Sequence, residues 1–142
     1  MKNTKMFWVT AVILVLLFIV VYTTFTGSRP IEVKKYDMDI AVVGGKHIGI
    51  NVGANNTLHF GTVPAGKPVE SMRYIIITNG EEKTNVQLQA TGVMGKWLGV
   101  SQNNFTMEPK QTQNLNVTIY VPEGTPVGNY TGTLIMEFFK IA

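Results

Sequence analysis

The chain has 142 residues, 45% of them hydrophobic, enough for one domain with a packed core plus a short extra segment; it is not a disordered tail. Its 12 basic and 9 acidic side chains give a net charge of +3, but Lys2 and Lys5 precede the first apolar run, and from Gly27 onward 10 basic residues face 9 acidic ones, no footprint for nucleic acid. Zero cysteines exclude a disulfide framework, a thiolate metal site and a cysteine nucleophile together, so stability has to come from the core.

Residues 6–25, MFWVTAVILVLLFIVVYTTF, contain no charged side chain. As a helix rising about 1.5 Å per residue they span roughly 30 Å, one hydrocarbon thickness. Phe7 and Trp8 at one end and Tyr22 at the other fall where aromatic rings favour the headgroup level. A cleaved signal peptide calls for an apolar run of about 7–15 residues and a small-residue cleavage site, and only Thr24-Phe25-Thr26 offers one. The expectation is an uncleaved single-pass anchor within residues 1–26.

Counting charges leaves its orientation open, because Lys2 and Lys5 on one side are matched by Arg29, Lys34 and Lys35 on the other. A five-residue stub cannot fold, whereas the rest of the chain carries four Asn-x-Ser/Thr acceptors, at Asn55, Asn104, Asn116 and Asn129. The large part is expected outside the cell membrane, with these asparagines as glycosylation candidates.

Residues 27–35, opening with the Gly/Pro break around TGSRP, read as a juxtamembrane linker, and residues 36–142 as one domain. No helix-length periodicity of 3.6 appears there; the signals have period two and are punctuated by turns. Tyr36, Met38, Ile40 and Val42 alternate with polar residues, Gly44-Gly45 suits a two-residue turn, and Ile48, Ile50 and Val52 alternate again, which predicts a hairpin. LHFGTVPAG supplies a short strand and turn, while MRYIIITN is apolar on both sides, as a central or doubly covered strand would be. Val86, Leu88 and Ala90 alternate after NGEEKT, and KWLGVS and NFTM are two further short strands.

In the next strand Leu115, Val117, Ile119 and Val121 point to the core, leaving Asn114, Asn116, Thr118 and Tyr120 on the wet face. In the last, Tyr130, Gly132, Leu134, Met136 and Phe138 share a face, so Ile135 and Phe139 turn outward with Thr131, Thr133 and Glu137. About seven to nine short antiparallel strands predict an all-β, immunoglobulin-like two-sheet sandwich.

The motifs Leu58 to Val63 (Leu-x-Phe-Gly-x-Val), Asn79-Gly80, Trp97 to Ser101 (Trp-Leu-x-Val-Ser), Pro109, Val121-Pro122 and Gly128 to Leu134 (Gly-x-Tyr-x-Gly-x-Leu) give residues 57–138 a family likeness. This stretch resembles immunoglobulin-like domains of the major-sperm-protein and abnormal-spindle type, as found in archaeal and bacterial envelope and S-layer-associated proteins. Lys110 departs from the pattern, standing where that family often has Gly after the Pro. The resemblance implies the fold and the packing of Trp97 into the core. It implies no activity, since such sandwiches serve as spacers, adhesion modules and scaffolds.

Candidate chemistry is sparse. His47 and His59 lie on expected strands without a cluster of ligands at metal spacing, and Asp37 and Asp39 supply at most part of the 6–8 oxygens that calcium takes, so no metal is assigned. GGKHIG opens no helix and is read as a turn, not a phosphate loop. None of Ser28, Ser71 and Ser101 sits in a nucleophile elbow or beside a base. No catalytic residue and no cofactor are expected, and the chain is not read as an enzyme.

The function expected is therefore a membrane-anchored extracytoplasmic scaffold or protein-interaction module of a prokaryotic, archaeal-type cell envelope. It contacts the membrane through residues 6–25 and binds an envelope protein through an edge or face of the sandwich. Ile135 and Phe139, on a terminal strand expected at a sheet edge, are the interface candidates. Two other readings are a subunit of a membrane-embedded filament or secretion machine resembling the archaeal swimming-filament stator, and a carbohydrate-binding module, which would need exposed aromatics on one sheet.

Overall fold

A computed structural model describes Val12, Ile13, Val15, Leu16 and residues 29–45 and 56–141. Of the expected anchor, only the first four of these positions, all helical, are described; the rest lies outside the described residues, as do His47, Asn55 and the strand expected over residues 48–52. No helix among the described residues is long and apolar enough to cross a membrane.

The domain is all-β, with eight strands in two sheets among the described residues. They are β1 (Glu32–Val43), β2 (Thr57–Pro64), β3 (Val69–Thr78), β4 (Thr84–Thr91), β5 (Leu98–Val100), β6 (Phe105–Met107), β7 (Thr112–Val121) and β8 (Gly128–Lys140). The larger sheet has the order β2-β1-β8-β4-β6 and the smaller one β3-β7-β5.

The period-two pattern sets what faces inward. Met38, Ile40 and Val42 of β1, Val86 and Leu88 of β4, Leu115, Val117, Ile119 and Val121 of β7, and Leu134, Met136 and Phe138 of β8 are all buried, and they meet between the two sheets. Each such side chain contributes roughly 1.5–3 kcal/mol when fully buried.

Three expectations are corrected. First, β1 starts at Glu32 and pairs with β8 from Glu32↔Phe138 onward, so residues 32–35, read as linker, belong to the sheet. Second, β1 has β8 on one side and β2 on the other, and the β1–β2 pairing is parallel. That occupies both edges of β1 over Asp37–Val42 and departs from the wholly antiparallel arrangement expected; residues 48–52, the second strand of the expected Gly-Gly hairpin, lie outside the described residues. Third, residues 72–78 of MRYIIITN lie within β3, which stands at the border of the smaller sheet and buries only Ile75 and Ile77 fully.

Two glycines, Gly61 and Gly132, have physical reasons. In β2, Phe60 and Val63 are both buried although three positions apart, which strict alternation forbids. A bulge reconciles them: the register with β1 slips between Asp39 and Ala41, and Gly61 sits there at φ +86°. Gly132 lies where the helical turn Gly92–Gly95 crosses β8; a Cβ there would stand 2.8 Å from the Thr91 carbonyl oxygen and 3.0 Å from Met94 Cβ. That turn, whose Met94 is fully buried, is the one regular element among the described residues of the domain that the strand pattern did not predict.

Polar groups close the ends of the sandwich. The buried Asn79 amide donates to the carbonyls of Glu82, Met107 and Glu108 at 2.8, 3.1 and 2.9 Å, and its oxygen accepts from the Thr84 hydroxyl at 2.9 Å. One side chain thereby ties the end of β3 to β4 and β6. Beyond the short β6, the Asn103 side chain continues the ladder, its oxygen accepting from Leu88 N–H at 2.7 Å and its amide donating to the Leu88 carbonyl at 2.9 Å.

Candidate interaction surface

The outer face of the smaller sheet is built from the even-numbered residues of β3 and β7. On β3 these include Met72, Tyr74 and Ile76, which are 42%, 72% and 70% exposed, and on β7 Tyr120, which is 50% exposed. Their cross-strand partners are polar: Met72↔Thr118, Tyr74↔Asn116 and Ile76↔Asn114. Tyr120 leans over β5, where Gly99 makes room; a Cβ on Gly99 would come within 2.7 Å of the tyrosine ring. The result is a row of three apolar side chains along the outermost strand, with a fourth diagonally across the sheet.

Local sequence explains the row. Ser71, Arg73, Ile75 and Ile77 take the inward positions of β3, so the pattern forces Met72, Tyr74 and Ile76 outward. Arg73 is kept from the outer face by its inward contacts. It donates from Nε to the His59 carbonyl and lies 5.8 Å from the centre of the Phe60 ring, while the Ser71 hydroxyl donates to the Phe60 carbonyl at 2.6 Å. Glu70 is thus the one charge that β3 presents outward. Edge strands are ordinarily blunted by Lys, Pro or several charges, and β3 has neither Lys nor Pro.

The sequence-derived candidates fall elsewhere. Ile135 and Phe139 do point away from the core, but β8 is the third of five strands, paired on both sides by β1 and β4. The expectation of an edge there is therefore wrong: in this fold the C-terminal strand is central because β1 and β4 both add to it. Both residues are half-buried, Ile135 lying between Lys35 and Gln89 and Phe139 opposite Asn85. Exposed aromatics, by contrast, are present on one sheet, in Tyr74 and Tyr120, where the strand pattern had placed only Tyr120 on the wet face.

Of the glycosylation candidates, Asn104 and Asn129 are exposed, whereas Asn116 is half-buried in mid-sheet and Thr118 of its acceptor motif is buried. Trp97, expected in the core, is half-buried: it packs against the core cluster and against the Tyr130 ring, with centroids 5.0 Å apart. His59 Nδ1 lies 2.6 Å from Asp39 Oδ2, and Thr133 donates to Asp37 at 3.4 Å, on the outer face of the larger sheet. Among the described residues no three His, Cys, Asp or Glu side chains group as metal ligands would.

A scan against protein-family models and a search of curated proteins each gave no match. Among solved structures, the DraE adhesin in complex with chloramphenicol succinate is 13% identical with a TM-score of 0.40, over 80% of this chain and 98% of that one. The AfaE-3 adhesin from Escherichia coli is 13% identical with a TM-score of 0.34, over 80% and 99%. An antigen and type I fimbria protein of Burkholderia pseudomallei is 10% identical with a TM-score of 0.31, over 75% and 96%. Likeness at this level bears on neither ligand nor activity.

Proposed function

We propose that the chain is a membrane-anchored, extracytoplasmic interaction module of an archaeal or bacterial cell envelope, an immunoglobulin-like sandwich without chemistry of its own. It binds protein through the outer face and open edge of β3. The observation that carries this reading is the row Met72, Tyr74 and Ile76, exposed on a border strand whose one outward charge is Glu70. Apolar side chains aligned on a border strand, one edge of which has no partner strand among the described residues, mark sites of strand addition or face packing. The uncharged run at residues 6–25 and the acceptor motifs support the anchoring and the exterior placement.

The test is the double substitution Tyr74→Ser/Ile76→Ser in the full-length chain. The reading expects unchanged thermal unfolding together with a smaller assembly in native membranes. An assembly of unchanged size contradicts it. The carbohydrate-binding reading is favoured by one specific observation, the exposure of both Tyr74 and Tyr120 on one sheet. It predicts quenching of tyrosine fluorescence by oligosaccharide, lost in the same variant.

A further inference from the structure

We infer that Met72 is a reversible oxidation site, the one sulfur among the described residues that a peroxide can reach, and that its sulfoxide breaks the apolar row on the outer face of the smaller sheet. The site stands on exposure and packing; its effect on binding rests on the reading of the β3 face as an interaction surface.

Sulfur redox chemistry in this chain falls to methionine, because there is no cysteine. Among the described residues the methionines divide into two kinds. Met38, Met94, Met107 and Met136 are at most 1% exposed and belong to the core cluster, whereas Met72 is 42% exposed. Exposure decides reactivity: a peroxide has to bring its O–O bond up to the sulfur, and a core packed to crystal-like density leaves no room for that approach. The packing around Met38 and Met94 is close enough that a Cβ on Gly132 would stand 3.1 Å from Met38 Cε and 3.0 Å from Met94 Cβ.

The strand register holds Met72 outward. Its chain neighbours Ser71 and Arg73 are fixed inward, the Ser71 hydroxyl by the Phe60 carbonyl at 2.6 Å and Arg73 Nε by the His59 carbonyl. A strand residue between two inward neighbours faces the opposite way. On that face Met72 is the junction of the apolar row. It pairs with Thr118, so Tyr120 is its diagonal neighbour across the ladder, roughly 7–8 Å away, and Tyr74 follows two residues along the strand at about 7 Å. Met72 thereby connects Tyr120 to Tyr74 and Ile76.

In the reaction with hydrogen peroxide the thioether sulfur gives up two electrons and forms an S=O bond as the O–O bond breaks, and the second peroxide oxygen leaves as water. The product is a polar, hydrogen-bond-accepting side chain. On a solvated face the sulfoxide keeps its water, so the fold is preserved. The apolar surface is divided, with Tyr120 on one side and Tyr74 with Ile76 on the other, and the face loses affinity for an apolar partner until a sulfoxide reductase restores the thioether.

Dilute hydrogen peroxide applied to the full-length chain in mild detergent tests the site by peptide mass spectrometry. Met72 is expected to gain one oxygen at least about tenfold faster than Met38, Met94, Met107 or Met136, with unchanged thermal unfolding, and to lose it again to methionine sulfoxide reductase. A buried methionine that keeps pace, or a melting temperature that falls as Met72 oxidises, overturns the inference. In native membranes the same treatment is expected to shrink the parent's assembly but not that of Met72→Leu, while Met72→Gln, polar without oxidant, starts small. An assembly that keeps its size although Met72 is oxidised overturns the inference; so does a Met72 that oxidises in detergent but is shielded in membranes. The surface reading is judged separately by Tyr74→Ser/Ile76→Ser: it stands if that variant alone shrinks the assembly, and both fall if neither change does.

Discussion

The rings of Trp97 and Tyr130 meet with centroids 5.0 Å apart and planes inclined at 56°, and the Tyr130 hydroxyl donates to the Pro126 carbonyl at 2.8 Å. A tyrosine near a strand start that bonds back to upstream backbone fixes a corner of many sandwiches. Here it also holds the partner against which Trp97 packs.

Separating the two contributions gives the first prediction. Trp97→Ala should cost about 2–4 kcal/mol, below the range for fully buried tryptophans because this one is half-exposed. Tyr130→Phe, which keeps the ring contact and loses one hydrogen bond, should cost about 0.5–1.5 kcal/mol. Denaturant midpoints of the exterior domain measure both, and equal losses would contradict the division.

Asn79→Asp should be far more harmful than its size suggests. The amide nitrogen faces three carbonyls, and a carboxylate oxygen in its place would set acceptor against acceptor in a buried position. A loss of about 2–4 kcal/mol is expected, against less than about 0.5 kcal/mol for Asn85→Asp on the outer face. Chemical denaturation of the pair checks it.

Lys110 adopts φ +61°, a left-handed conformation that favours Gly, and its N–H donates to the Gly80 carbonyl at 2.8 Å. The turn is thus kept at a steric cost of about 1–2 kcal/mol for an L-residue. Lys110→Gly relieves that cost and loses about 0.5–1 kcal/mol to unfolded-chain entropy. A net gain of about 0.5–1 kcal/mol is expected, while Gly61→Ala, at φ +86°, should destabilise. Melting temperatures that fall for both would count against the first expectation.

The placement of the domain is open to labelling, since the parent chain has no thiol. Asn104→Cys, in an exposed loop, should react with a membrane-impermeant maleimide on intact cells. Reaction only after lysis or in inverted vesicles would reverse the topology.

How much was legible follows from what each strand encodes. Strands with one apolar face, such as Leu115 to Val121 and Leu134 to Phe138, reveal their inward residues by alternation, and the structure buries them as read. β3 is apolar at Ile75, Ile76 and Ile77 in succession, so alternation assigns no face; the inward contacts of Ser71 and Arg73 decide it, and they are made with β2, a long-range neighbour. The same limit misplaced the edge. Chain order puts β8 last, but its neighbours β1 and β4 are remote in sequence, and no local pattern encodes that pairing. The bulge at Gly61 was present in the spacing of Phe60 and Val63, which breaks period two.

Photo-crosslinking in intact cells separates the proposed partner surface on β3 from one on β8. A benzophenone side chain placed at position 74 or at position 135 of the full-length chain samples the two faces under identical conditions. A discrete adduct is expected from position 74, to a second copy or to another envelope protein, and none from position 135. An adduct from 135 with none from 74 would contradict that expectation.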